Sequence, residues 1–240
     1  MQTNYLMKIG SVAAAVALIL AGSWYSVRQM NQKTAQVSSA ASDGQIIILD
    51  AGHGGMDGGC VSINGDPEKN INLAILLNLR DMLRMSGYTV LTTRDTDRSI
   101  HDDGVEGIAN QKSSDMDNRL ALFNSVQGAI CLSIHQNQFT DSRYSGAQMF
   151  YSDTNSENPA LAQMLQNQFV AFLQPENQRE IKLCGKELFL CYYSKNPTVM
   201  AECGFLSNPE EAALLITPEY QQKVAFTLYS ALIQYCAEKS

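Results

Sequence analysis

Gln45-Ile46-Ile47-Ile48-Leu49-Asp50-Ala51-Gly52-His53-Gly54-Gly55 decides the class of the fold. A short β-branched apolar run ending in a glycine-rich turn reads as a strand of a parallel sheet, buried on both faces. Beyond it, Glu68 to Met85 carries Ile71, Ile75, Leu76, Leu79 and Leu83 at helical spacing and stops at Ser86-Gly87. Tyr88 to Thr93 is the next strand, Ser99 to Asp117 a long polar loop, Met116 to Val126 a helix, and Ala129 to Ile134 another buried strand. Ala147 to Tyr151, Leu188 to Tyr193 and a short central Thr198 to Ala201 read as strands, Pro159 to Leu173 and about Tyr220 to Cys236 as helices. This alternation predicts an α/β fold: a single domain over residues 45–240, with a mostly parallel or mixed central sheet flanked by helices.

The composition supports a packed core. Of 240 residues, 45% are hydrophobic and 17% charged, which excludes a disordered chain. A net charge of −7 repels a phosphate backbone, so no nucleic-acid partner is expected. The six cysteines (Cys60, Cys131, Cys184, Cys191, Cys203, Cys236) include no Cys-x-x-Cys pair and read as buried or free thiols. Ile9 to Tyr25 is an uncharged, mostly apolar stretch flanked by Lys8 and Arg28. As a helix it spans about 25 Å, the short end for a bilayer. Residues 1–30 are therefore expected to be a signal peptide or a membrane anchor, and 31–44 a polar linker. Ala21-Gly22-Ser23 is a mediocre cleavage site, which favours the anchor. The remaining chain is then extracytoplasmic.

The chemistry gathers at strand ends, where open α/β sheets bind their ligands. Of three histidines, His53 follows the first strand, His135 ends the Ala129–Ile134 strand, and His101 lies in the polar loop, where it reads as structural or solvated. Glu202 comes directly after Val199-Met200-Ala201, and a carboxylate placed there is costly unless a cation or donors meet it. Glu68 opens a helix after Pro67, where an acid is also favoured simply by the helix dipole. Two imidazoles and carboxylates converging on one sheet edge suit zinc, with three protein ligands and an open fourth position. The glycines around His53 do not make a phosphate cradle: no Gly-Lys-Ser/Thr follows, and Asp57 stands where a dinucleotide fingerprint needs glycine. They read as a turn that brings backbone close to a metal or ligand.

DAGHGGMDGG (50–59), PEKN (67–70), LTTRDTD (91–97), NRLALFN (118–124), SIHQN (133–137) and ECGFLSNPEEAALL (202–215) occur in this order. Together they resemble the zinc-dependent N-acetylmuramoyl-L-alanine amidases, α/β cell-wall hydrolases, over nearly all of residues 45–240. DGGC and ECGFLSNPEE are most similar to the sporulation type, which helps make the muramic-δ-lactam of spore cortex. The resemblance implies one zinc ion held by His53, Glu68 and His135, with Glu202 as the catalytic carboxylate. The implied substrate is peptidoglycan bearing stem peptides, the implied place outside the cytoplasmic membrane, and an activating protein partner fits an enzyme facing its own wall. Ala51 departs from the family, which usually has proline there. Asn70, Arg94, Arg119 and Asn137 match family positions, but structural hydrogen bonding explains them at least as well. A zinc peptidase or deacetylase acting on peptidoglycan, or a wall-binding protein without catalysis, are the competing readings.

Overall fold

Alternation along β1 (Ile46–Ala51) builds the two layers of the molecule. Ile47, Leu49 and Ala51 turn to one face of the sheet and Ile48 to the other, as the two-residue repeat of a strand requires. The computed structural model describes residues 44–239. In it β1 pairs in parallel with β2 (Thr89–Thr92) on one side and β3 (Ile130–Asn137) on the other. β6 (Thr198–Phe205) continues the parallel set beside β3. β4 (Gln148–Tyr151) runs antiparallel to β6, and β5 (Lys182–Leu183) closes the edge parallel to β4. The result is a six-stranded mixed sheet in the order β2-β1-β3-β6-β4-β5. The chain leaves β1 towards β2 and then returns to the other side of β1 to form β3. Open α/β sheets bind ligands at such a reversal, which here falls at the carboxyl ends of β1 and β3.

Three helices cover one face: α1 (Glu68–Met85), α3 (Asn158–Phe172) and α6 (Pro218–Lys239). Ile71, Ile75, Leu76, Leu79 and Leu83 of α1 are buried there with Leu161, Leu165 and Phe169 of α3 and Val224, Leu228 and Leu232 of α6. α2 (Ile108–Phe123) and the short α4 (Phe189–Tyr193) lie on the other face with a smaller cluster around Ile48, Phe123, Cys131 and Leu190. α5 (Pro209–Leu215) follows β6, with the Asn208 side chain accepting from the backbone N–H groups of Glu210 and Glu211 as its N-cap. Among the described residues no helix is long and apolar enough to cross a membrane. The hydrophobic stretch expected in 1–30 and the linker, apart from Gly44, lie outside the described residues.

The structure corrects the sequence reading in three places. Leu188–Tyr193 is expected as a strand but forms α4; it buries the adjacent Leu190 and Cys191 rather than alternate residues. The expected loop 99–117 turns helical at Ile108. The buried positions of α2 are Asp115, Arg119 and Phe123, so its inward stripe is mostly charged and gives no apolar periodicity. β6 continues four residues past Ala201, through Glu202 to Phe205, and β5 and α5 are additional elements.

Candidate metal centre

Gly52 joins β1 to His53, and only glycine fits. A Cβ at residue 52 would stand 2.2 Å from the His135 ring. His53 itself adopts a φ of 63°, a left-handed conformation that costs a side-chain-bearing residue energy. Two fully buried arginines hold this turn by its carbonyls. Arg94 donates to the Ala51 and Gly52 oxygens at 2.9 and 3.0 Å and reaches the Lys69 carbonyl on α1 at 2.7 Å. Arg119 donates to the Ala51 and His53 oxygens at 2.9 and 2.7 Å, and to Asp50 at 2.5 Å. The guanidinium fork suits such convergent acceptors.

The structure brings His53, Glu68 and His135 together: one ligand atom from each lies within 4.8 Å of the others. His53 Nδ1 is 2.9 Å from Asp57 Oδ2, which leaves Nε2 facing Glu68 Oε2 at 3.2 Å. His135 Nδ1 is 3.0 Å from Glu68 Oε1. Glu68 is buried at the first turn of α1, where its oxygens also accept from the backbone N–H groups of Cys60 and Gln136 and from Asn72 Nδ2. Burial alone would raise the Glu68 pKa; the bonds and charges of His135 and His53 outweigh it and hold the carboxyl well below its ordinary range. Burial depresses His135, but the Glu68 carboxylate more than reverses this and raises it to about 9. Gly59 completes the cradle, since a Cβ there would meet Glu68 Oε2 at 2.5 Å and His53 Cδ2 at 2.7 Å. Two imidazoles and one carboxylate around a common point are the donors a zinc ion takes.

Glu202 stands beside this trio. It is the Cα partner of His135 across β3 and β6, hence a neighbour on the same face. The sequence reading puts both residues at strand ends, whereas both lie inside strands. An irregularity in the β3–β6 register between His135 and Asn137 lets pairing resume at Asn137–Phe205. Glu202 Oε2 is buried without a hydrogen-bond partner among the described residues, a costly state for a carboxylate oxygen. Burial pushes its pKa up to about 7, with the His135 charge opposing and the Glu68 charge adding. His101 is elsewhere, hydrogen-bonded at 2.8 Å to Ser99 Oγ, as the structural reading expects.

The chain matches the N-acetylmuramoyl-L-alanine amidase family model over residues 47–234. The chain belongs to that family. It is 36% identical over 196 residues to the germination-specific N-acetylmuramoyl-L-alanine amidase of Bacillus subtilis (strain 168), covering 82% of this chain and 81% of that protein. It is 28% identical to the amidase AmiA of Escherichia coli (strain K12), over 80% of this chain and 76% of that one. The CwlD amidase of Clostridioides difficile, solved in complex with the GerS lipoprotein, superposes with a TM-score of 0.77 at 34% identity, over 80% of this chain and 98% of that chain. This amidase therefore carries its candidate trio beside the parallel strands of a six-stranded sheet. Asp57, Asn72 and Gln136, which brace the trio, are absent from the sequence reading as site residues. Only the position of Asp57 in the same glycine-rich turn as His53 hints at its role.

Proposed function

We propose that this amidase is a zinc hydrolase that cleaves the amide between the lactyl group of N-acetylmuramic acid and L-alanine in peptidoglycan, in spore cortex and outside the cytoplasmic membrane. His53, Glu68 and His135 would hold one zinc ion, and their donor chemistry fits it. Bound zinc supplies a Lewis acid for the carbonyl and acidifies water towards neutral pH. Glu202, unpaired and facing the trio, receives the proton of the attacking water and passes it to the departing alanine nitrogen. Asp57 fixes the ring of His53 by accepting from Nδ1, so that Nε2 points inward. Arg94 and Arg119 keep the turn at the position where Nε2 reaches Glu68.

The observation that carries this reading is the buried, partnerless Glu202 oxygen beside two histidines and a carboxylate, in a chain of this family. The germination-specific relative supports the spore setting, and a lipoprotein bound to a similar amidase supports a protein partner for this one. An N-terminal anchor or signal in residues 1–30 would place the domain towards the wall. The deciding experiment is product analysis of peptidoglycan digested by the purified, zinc-loaded protein. Release of stem peptides with a new L-alanine amino terminus is expected. Cleavage within the stem peptide, or loss of acetyl groups, would favour the peptidase or deacetylase reading instead.

A further inference from the structure

Cys184 and Cys191 lie away from the metal centre, on the β4–β5 edge of the sheet. Cys184 directly follows β5, and its backbone N–H donates to the Tyr151 carbonyl of β4 at 2.8 Å. Cys191 sits in α4, with its thiol 3.8 Å from the Phe150 carbonyl of the same strand. Both side chains therefore converge on β4 at residues 150–151, where they form one buried cluster with Met200. The two cysteines pack together closely enough to perturb each other's ionisation, Cys184 falling below the ordinary thiol range and Cys191 rising well above it. Cys184 is 7% exposed and Cys191 fully covered. The pair thus has an outer thiol that solvent reaches and an inner partner packed in the same cluster. The thiols of Cys60, Cys131 and Cys203 likewise face carbonyls, those of Gln136, Phe123 and Ala201.

We propose that Cys184 and Cys191 are a cross-linking site, oxidised to a disulfide that ties the β5 end to α4. The oxidant is a disulfide-bearing compound of the glutathione class. The Cys184 thiolate attacks one sulfur of that compound, breaking its S–S bond and releasing one thiolate. Cys191 then gives up its proton and attacks Cys184 Sγ, forming the protein S–S bond and releasing the second thiol. Two protein thiols are oxidised and one small disulfide is reduced to two thiols. The bond closes a loop from Cys184 to Cys191, Cys-Gly-Lys-Glu-Leu-Phe-Leu-Cys, on the edge of the sheet remote in sequence from every residue of the metal centre except Glu202. Its setting in the cell rests on the extracytoplasmic reading above, because exported proteins meet oxidants that cytosolic ones do not. The chemistry itself does not rest on that reading.

The test uses the purified full-length protein, incubated natively with oxidised glutathione or with dithiothreitol, then denatured, alkylated, digested and analysed by mass spectrometry. The oxidised sample should contain one peptide linking Cys184 to Cys191, lighter by two hydrogens than the reduced pair. Its melting midpoint should rise by about 5 °C over the reduced protein. Peptidoglycan hydrolysis should be equal in both samples. C184S and C191S should each lose the linkage and the shift. Full alkylation of both thiols after oxidation, a glutathione adduct on Cys184 that Cys191 never resolves, a bridge to another cysteine, or a lowered midpoint would each overturn the proposal. Protection of the domain from protease on intact cells would remove its cellular setting while leaving the linkage result standing.

Discussion

The two faces of the sheet are built on different principles. Against α1, α3 and α6 the strands present Ile47, Leu49, Leu132, Ile134, Val199 and Ala201, and that layer is a continuous apolar core. Towards α2 the same strands bury Asp50 and Ser133 beside Ile48 and Cys131, and Arg119 of the helix, itself paired with Asp115, meets Asp50. Asp50 accepts from Arg119, Ser133 and Thr93, all buried. Burial would raise its pKa, but the Arg119 charge and these bonds hold the carboxyl below its ordinary range. A buried ion pair of this kind is weak evidence for stability, since an apolar replacement of both partners is often neutral. What this one does is fix geometry, because the guanidinium that pairs Asp50 also grips the His53 carbonyl. The first face is apolar throughout, while the second joins a smaller apolar cluster to a charged network that holds the His53 turn.

The largest expected effect belongs to neither face's packing. Glu202→Gln keeps the size of the side chain and removes the base, so turnover should fall on the order of 10²–10⁴-fold. Zinc content and melting midpoint should stay close to those of the parent, because Glu202 makes no hydrogen bond through Oε2. Normal activity in this variant would reassign Glu202.

Next come paired substitutions that break one face each. Arg119→Leu leaves Asp50 buried without its cation and should cost about 3–5 kcal/mol in urea unfolding. It should also weaken zinc binding at temperatures where the variant is folded. Leu79→Ala, fully buried on the other face, should cost about 2–5 kcal/mol through its cavity and leave zinc affinity and kcat untouched. If Arg119→Leu binds zinc as the parent does, or Leu79→Ala loses zinc, the division of labour between the faces is wrong. Acid sharpens the same contrast. A carboxyl with a depressed folded pKa contributes stability that is present above its unfolded value, about 3.9, and is lost as pH falls through the folded value. The stability of the parent should therefore decline below about pH 4, and Asp50→Asn should reduce the part of that decline owed to Asp50.

The same contrast explains what the sequence discloses. The apolar face writes itself as periodicity: Ile71, Ile75, Leu79 and Leu83 locate α1, and the β-branched run locates β1. The polar face leaves no such mark. The first turns of α2, from Ile108 to Asp115, bury no apolar side chain, so they read as loop although Met116 onward reads as helix. α4 has an apolar run too short for periodicity to separate helix from strand. Of the candidate trio, His53 and His135 are legible because histidine is scarce here and both follow apolar runs, while Glu68 taken alone reads as a helix-opening acid and joins them only through the family resemblance. The bracing of the trio is not legible, because Asn72, Gln136 and Asp57 acquire meaning only when residues distant in the chain meet.

The smallest effects lie at the rim, where the turn meets solvent. Asp57 accepts from His53 Nδ1 at 2.9 Å through one oxygen and from Lys112 Nζ at 3.0 Å through the other. These two contacts look alike on paper but differ in consequence. The first sets which ring nitrogen of His53 faces Glu68, so Asp57→Asn, whose amide can present a donor where an acceptor is needed, should weaken zinc affinity about 10–100-fold. The second is an ion pair with a half-exposed lysine, worth about 0–1 kcal/mol and screened by salt. Lys112→Met should therefore shift zinc affinity by no more than about fivefold, and less at high ionic strength. Competition titration with a zinc chelator measures both. Equal losses from the two substitutions would mean that the Asp57 charge, rather than its grip on the His53 ring, is what the metal centre uses.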